Sequence, residues 1–320
     1  MKTSSWLSES IKITAALALA AAIGFVVFLN LVIYKAPDSL AQNPAGENLS
    51  KPPVTAFEGG HGAGRGQFDS PRGIAIDSAE NIFIADTDNG RIEKFSPDGI
   101  FVASIGQFEG PNGIAIDRAG NIYVAEIGSK HRVQKLGPDG TFIAKWAPAL
   151  YGPRKIAIGP DDSIYVVDSG RNRIVKFSPD GQVLASWGSE GSGDGQFRAL
   201  SSVAVDPINN KVYVADSMNS RIQVFDSDGK FLTKWLVPEW GPPLGFEDLA
   251  IDSQSGRLYA SSARMNSILV FDLQGNRVAT LTPAPPDKLE SPSALALAKD
   301  KLFVLNNASA RVSVISLQNR

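Results

Sequence analysis

The chain of 320 residues contains no cysteine. Disulfides and thiolate metal sites are excluded, and an oxidising compartment is neither required nor ruled out. Histidine is almost as scarce, with only His61 and His131. Two imidazoles cannot supply a three-histidine zinc site, and no H-x-H or H-E-x-x-H spacing occurs. No Walker-type glycine loop is present, and no Ser-His-acid arrangement can be argued. Excess charge is missing too, with a formal net charge of −2. Lys2, Lys12, Lys35 and Glu9 put residues 1–35 at net +2, so the remainder stands at −4. That is not the electrostatic footprint of a nucleic-acid binder, and no nucleic-acid partner is expected.

Long apolar runs are also lacking, with one exception. Ile13–Ile33 is 21 residues without a charge, about 31 Å as a helix, the thickness of a bilayer core. A cleaved signal peptide has a shorter apolar region, although Ser39-Leu40-Ala41 could serve as a cleavage site. The expectation is a cytoplasmic tail over 1–12, a transmembrane signal-anchor helix over 13–33 and a flexible stalk over 34–52. Pro37, Pro44 and Gly46 in the stalk interrupt any apolar period. Lys2 and Lys12 precede the span and Lys35 alone follows it. This favours a single-pass protein of a bacterial inner or plasma membrane, with the rest of the chain outside the cytoplasm.

What is there in abundance is repetition. Pro111–Leu136, PNGIAIDRAGNIYVAEIGSKHRVQKL, reads as strands over Gly113–Asp117, Asn121–Glu126 and Arg132–Leu136, with a fourth over Thr141–Trp146. The first-strand phrase recurs around Ala75, Ala115, Ala157, Ala204, Ala250 and Ala296. Steps run from 40 residues (Asp77 to Asp117) to 47 (Gly159 to Asp206). Four short strands at that period predict an all-β fold with propeller blades. A small Ala at each first strand suits the crowded axis, and polar residues such as Ser104, Lys145 and Lys234 mark strand four as the outer edge. The sixth unit ends at its third strand, and Pro53–Phe57 matches the missing fourth. The N-terminal strand is therefore expected to close blade six, giving a six-bladed propeller over 53–320.

These units resemble NHL repeats. Pro111-Asn112-Gly113-Ile114-Ala115, Gly120-Asn121-Ile122-Tyr123-Val124-Ala125 and Asn89-Gly90-Arg91-Ile92 carry the family's phrases, over roughly Val54 to Ile315. The likeness is weaker in blades five and six, where Ser267 replaces the Arg and Ala298 the first Asp. The resemblance implies the six-bladed fold; it does not imply one function, because propellers host binding modules and enzymes alike. Relatives of this type include RNA binders, sensor domains of receptor kinases, an amidating lyase with several zinc-binding His, and lactonase-like propellers with calcium in the channel. No kinase segment is present here.

Four acids end second strands and four arginines open third strands: Asp86 with Arg91, Glu126 with Arg132, Asp168 with Arg173, Asp216 with Arg221. In blade five both positions are serine, Ser262 and Ser267. Charges lost together behave as pairs, so structural ion pairs are expected, not a metal-binding carboxylate ring. In blade six Asn306 is expected to accept from Arg311. Trp146, Trp187, Trp235 and Phe57 share one strand-four position and read as blade-to-blade packing. His61 and His131 read as solvated loop residues.

The ligand-binding candidates lie on the face with the longer loops. Just before strand one the repeat varies: Arg72, Asn112, Arg154, Ser201, Glu247 and Ser293. These six should rim the channel mouth, with Arg72 and Arg154 suited to a carboxylate or phosphate. Trp240, in a proline-rich loop, is a further contact candidate. The expectation is a binding module for a protein or cell-envelope ligand, with no cofactor and no catalytic residue. The alternative is a metal-dependent lyase or lactonase-like enzyme with calcium or another divalent ion in the channel, for which Glu247 and Asn112 make a thin ligand set.

Overall fold

The computed structural model describes residues 54–317 apart from Pro148, 242–245 and 284–286. The chain divides into Met1–Gly46 and Glu47–Arg320. The expected tail, membrane span and stalk lie outside the described residues. Among the described residues no helix is long and apolar enough to cross a membrane.

The second unit is six four-stranded antiparallel sheets. Blade two shows the plan with Pro111–Ile116, Ile122–Glu126, Arg132–Leu136 and Phe142–Trp146, in that spatial order. The β-branched and aromatic run of each second strand is buried on both faces, as in Ile122–Glu126; the outer strand Phe142–Trp146 is largely exposed. Blade six uses Pro292–Ala298, Lys301–Asn306 and Arg311–Ser316, and its outer strand is Val54–Glu58. Val54 opposes Ile315 and Glu58 opposes Arg311. The first strand thus completes the last blade, so the ring closes through backbone hydrogen bonds, without a seam that exposes strand edges.

The core is divided between blades. Ile74 packs into a cluster with Leu305 and Val312 of blade six, while Ala75 packs with Ile114 and Val124 of blade two. Alternation along one strand thereby sends the large residue one way round the ring and the small one the other. The outer-strand tryptophans seal the same interfaces. Trp146 lies 6.2 Å from Tyr123 of its own blade and 6.3 Å from Phe177 of the next. Its ring covers Gly181 in the next blade's hairpin turn, where φ is +90° and a Cβ would come within 2.7 Å of the indole. Trp187 over Gly229 and Trp235 over Gly275 repeat the contact. The turn glycine is therefore needed twice, for its positive φ and for a flat seat.

The tight turns of the blades, two in each of blades one to five and one in blade six, fall on one face of the ring. The opposite face carries the second-to-third loops and the inter-blade connections. At the start of each inner strand this open face meets the axis.

Candidate site at the mouth of the axial channel

The connections that frame the mouth are held by the acid–arginine pairs. Asp86 and Arg91 approach to 2.9 Å; Glu126–Arg132, Asp168–Arg173 and Asp216–Arg221 each approach to 2.7 Å, with all four carboxylates fully buried. Each acid also accepts a backbone N–H from the incoming connection: Asp69 to Asp86, Glu109 to Glu126, Tyr151 to Asp168, Arg198 to Asp216. Each arginine other than Arg132 donates to carbonyls of that connection. Arg221 alone reaches Ser192, Gly193 and Gln196. Burial raises the Asp86 pKa against the pull of Asp69 N–H, Asn89 and Arg91, and the Glu126 carboxylate raises that of Arg132. In blade six, Asn306 Oδ1 accepts from Glu290 N–H at 2.9 Å. Its amide donates toward the Arg311 carbonyl, and the Arg311 guanidinium turns to Lys288 O. The expected acceptance by Asn306 from Arg311 is corrected: the Asn oxygen is already used by the connection.

Inside this frame the six varied positions converge. Arg72, Asn112, Arg154, Ser201, Glu247 and Ser293, one from each blade, line a single cavity of about 170 Å³. Long side chains come from blades one, three and five, short ones from the blades between, so the large groups do not collide. Phe246, one residue before the blade-five position, lies between the two cations. Its ring centroid is 4.6 Å from the Arg72 guanidinium and 5.4 Å from that of Arg154. Both distances suit cation–π contact. Burial, then the charge of Arg72, lowers the Arg154 pKa. Two like charges gathered on one partly buried wall favour an anion between them.

Glu247 lines the cavity but is buried, and burial raises its pKa against the opposing pull of Ser217 and of the backbone at Phe246 and its own residue. Trp240 corrects an expectation. It is 2% exposed, packs in the cluster between blades four and five, and its indole N–H donates to Ser261 O at 2.9 Å. Burying so large an apolar ring against this cluster, with its N–H satisfied, outweighs exposing it in a loop. His61 bonds the Ala308 carbonyl at 3.2 Å; His131 Nδ1 accepts from Gly152 N–H and its ring meets that of Tyr151 edge-on.

Comparison with known proteins agrees with this architecture. The NHL-repeat model matches residues 68–95 and 108–136, and a model described as a 6-bladed beta-propeller matches 152–238 and 208–303. The chain is an NHL-repeat six-bladed β-propeller. No curated protein sequence matches this NHL propeller. Solved structures similar to it include a gluconolactonase from Xanthomonas campestris, at 18% identity over 78% of this chain and 86% of that one, TM-score 0.61. A virginiamycin B lyase from Staphylococcus aureus is similar at 12% identity, over 83% and 99%, TM-score 0.58. A chain of a nidogen/laminin complex is similar at 19% identity, over 74% and 89%, TM-score 0.57. At these identities the likeness is one of fold.

The floor of the NHL propeller's mouth was not foreseen. Lys155 of blade three pairs with Asp248, which precedes the inner strand of blade five. Asp248 also accepts from Ser202 Oγ of blade four at 2.5 Å, Leu249 N–H at 2.9 Å and Leu295 N–H of blade six at 2.7 Å. Four blades meet on one carboxylate. A signal existed: blades one and two have Gly73 and Gly113 at this position, blades three and five have Lys and Asp. The pair also bears on the divalent ion of the alternative reading. Asp248 lines the cavity, and its oxygens are taken by the Lys155 ammonium and three other donors. Among the described residues no three His, Asp or Glu side chains gather as a metal site. The residues present do not fit an axial metal ion, because a lysine ammonium already fills the cation's place.

Proposed function

We propose that this propeller is a membrane-anchored, extracytoplasmic binding module whose mouth holds an anionic group of a protein or cell-envelope ligand. The observation that carries the reading is the convergence of Arg72 and Arg154 on Phe246 in one cavity. Guanidinium groups recognise carboxylate and phosphate through fixed pairs of donors, and the cavity is shaped by six blades that have no reason to vary there for the fold's sake. The cationic wall and the Lys155 ammonium repel a divalent ion, which favours binding over the metal-enzyme alternative. The uncharged run Ile13–Ile33 supports the anchor.

Two experiments test the reading. Titration of the detergent-solubilised full chain with small carboxylates and with inorganic phosphate should give saturable binding that Arg72→Ala/Arg154→Ala abolishes. Binding unchanged in the double variant would sink the anion mouth. Fractionation with protease added to intact spheroplasts should find the propeller in the membrane and protease-accessible; a soluble or protected propeller would overturn the location.

A further inference from the structure

Most polar groups round the mouth are already engaged with the protein. Lys155 pairs with Asp248, Ser201 lies 2.6 Å from Ser217 Oγ to Oγ, and Asn307 donates to Pro71 O at 3.0 Å. Arg72 and Asn112 are not. Among the described residues neither the Arg72 guanidinium nor the Asn112 amide has a hydrogen bond or ion pair, although Asn112 is only 8% exposed. A buried amide left without a partner is costly, and the cavity is where its partner must come from. Phe246 is as unusual. It is the one apolar side chain among the described lining residues, and it is 38% exposed, with the Arg72 guanidinium 4.6 Å from its ring centroid.

Resting on the anion-binding reading, we infer that the group held in the mouth is a carboxylate on a single flat apolar ring, an arene carboxylate. The guanidinium groups and the Asn112 amide N–H are donors for the carboxylate oxygens. The ring lies against the exposed part of Phe246, where offset or edge-to-face contact adds to the burial. Its size fits: the cavity of about 170 Å³ compares with the roughly 150 Å³ that holds a benzene molecule. Covering the exposed 38% of Phe246, a side chain of about 200 Å², is worth on the order of tenfold in affinity. A small anion forgoes that gain because it leaves the ring wet. A hydroxyl-rich ring brings donors and acceptors to a wall whose polar groups are largely engaged, and loses its own hydration there.

The probes are acetate, cyclohexanecarboxylate, benzoate and glucuronate, titrated against the full chain in detergent by ligand-observed magnetic resonance. Arg72→Ala/Arg154→Ala in the same detergent supplies the baseline for partitioning into micelles. Above that baseline benzoate should bind about tenfold tighter than acetate or more, and tighter than cyclohexanecarboxylate, whose puckered ring stacks poorly. Phe246→Ala should bring the benzoate-to-acetate ratio close to one. Phe246→Leu should remove the advantage of benzoate over cyclohexanecarboxylate while keeping both ahead of acetate. The ratio within each variant is the readout, so a general loosening of the mouth does not mimic the effect. Equal affinities for benzoate and acetate, a preference that survives Phe246→Ala, or tighter binding of glucuronate than of benzoate would overturn the inference while leaving the anion site standing. Failure of all four probes to exceed the double-variant baseline would overturn both.

Discussion

Lys155 and Asp248 form a buried ion pair that spans from blade three to blade five past blade four. Removing one partner of such a pair strands the other charge, at about 3–5 kcal/mol. Lys155→Met and Asp248→Asn should each lower stability by that order in urea unfolding. The double variant should recover part of the loss, because no charge is left unpaired. Additive losses would mean that the two side chains act separately.

With the ammonium in the axial position, divalent ions have no vacant seat. Purified protein should show no stoichiometric calcium or zinc by elemental analysis, and its melt should be unmoved by chelator. Lys155→Ala should melt lower and regain part of the loss when calcium is added, since Asp248 is then exposed to a replacement cation. A chelator-sensitive wild-type melt would return the metal-enzyme reading to the front.

The acid–arginine pairs should differ in strength by burial. The Arg221 side chain is 6% exposed and holds three loop carbonyls, whereas Arg173 is 25% exposed and holds one. Arg221→Ala should cost about 3–5 kcal/mol and Arg173→Ala distinctly less, by chemical denaturation. Equal costs would show that the ion pair, not the bridging of the connection, dominates.

Glu247 gives a pH signature. Burial raises its pKa above the ordinary 4.5, so the folded state holds this proton more tightly than the unfolded chain. The stability it contributes is present below 4.5 and is lost as pH rises through the raised value. Asp86 and Glu93 shift the same way, so the comparison must be with Glu247→Gln. The difference in unfolding free energy, variant minus wild type, should grow as pH rises from 4.5. A flat difference would show that the Ser217 and backbone hydrogen bonds cancel the burial.

Much of the mouth was legible before the structure. The repeat set the blade boundaries, and aligning blades against one another picked out Arg72, Asn112, Arg154, Ser201, Glu247 and Ser293 as equivalent positions, which the ring then gathers round one cavity. Trp240 was misread because it has no counterpart in other blades, so no register argument could say which way it points. Phe246 was missed for the same reason, as it lies in a connection of irregular length.

The sequence by itself determined the number of blades, their strand order, the closing strand and the ion pairs, because all of these are local patterns repeated six times and each copy checks the others. Only the tertiary structure decided that Lys155 meets Asp248 and that Phe246 lies within reach of two arginines. Those contacts join blades through the ring's curvature. They depend on where a side chain lands after roughly 90 to 175 residues of intervening chain, and no periodicity along a strand carries that information.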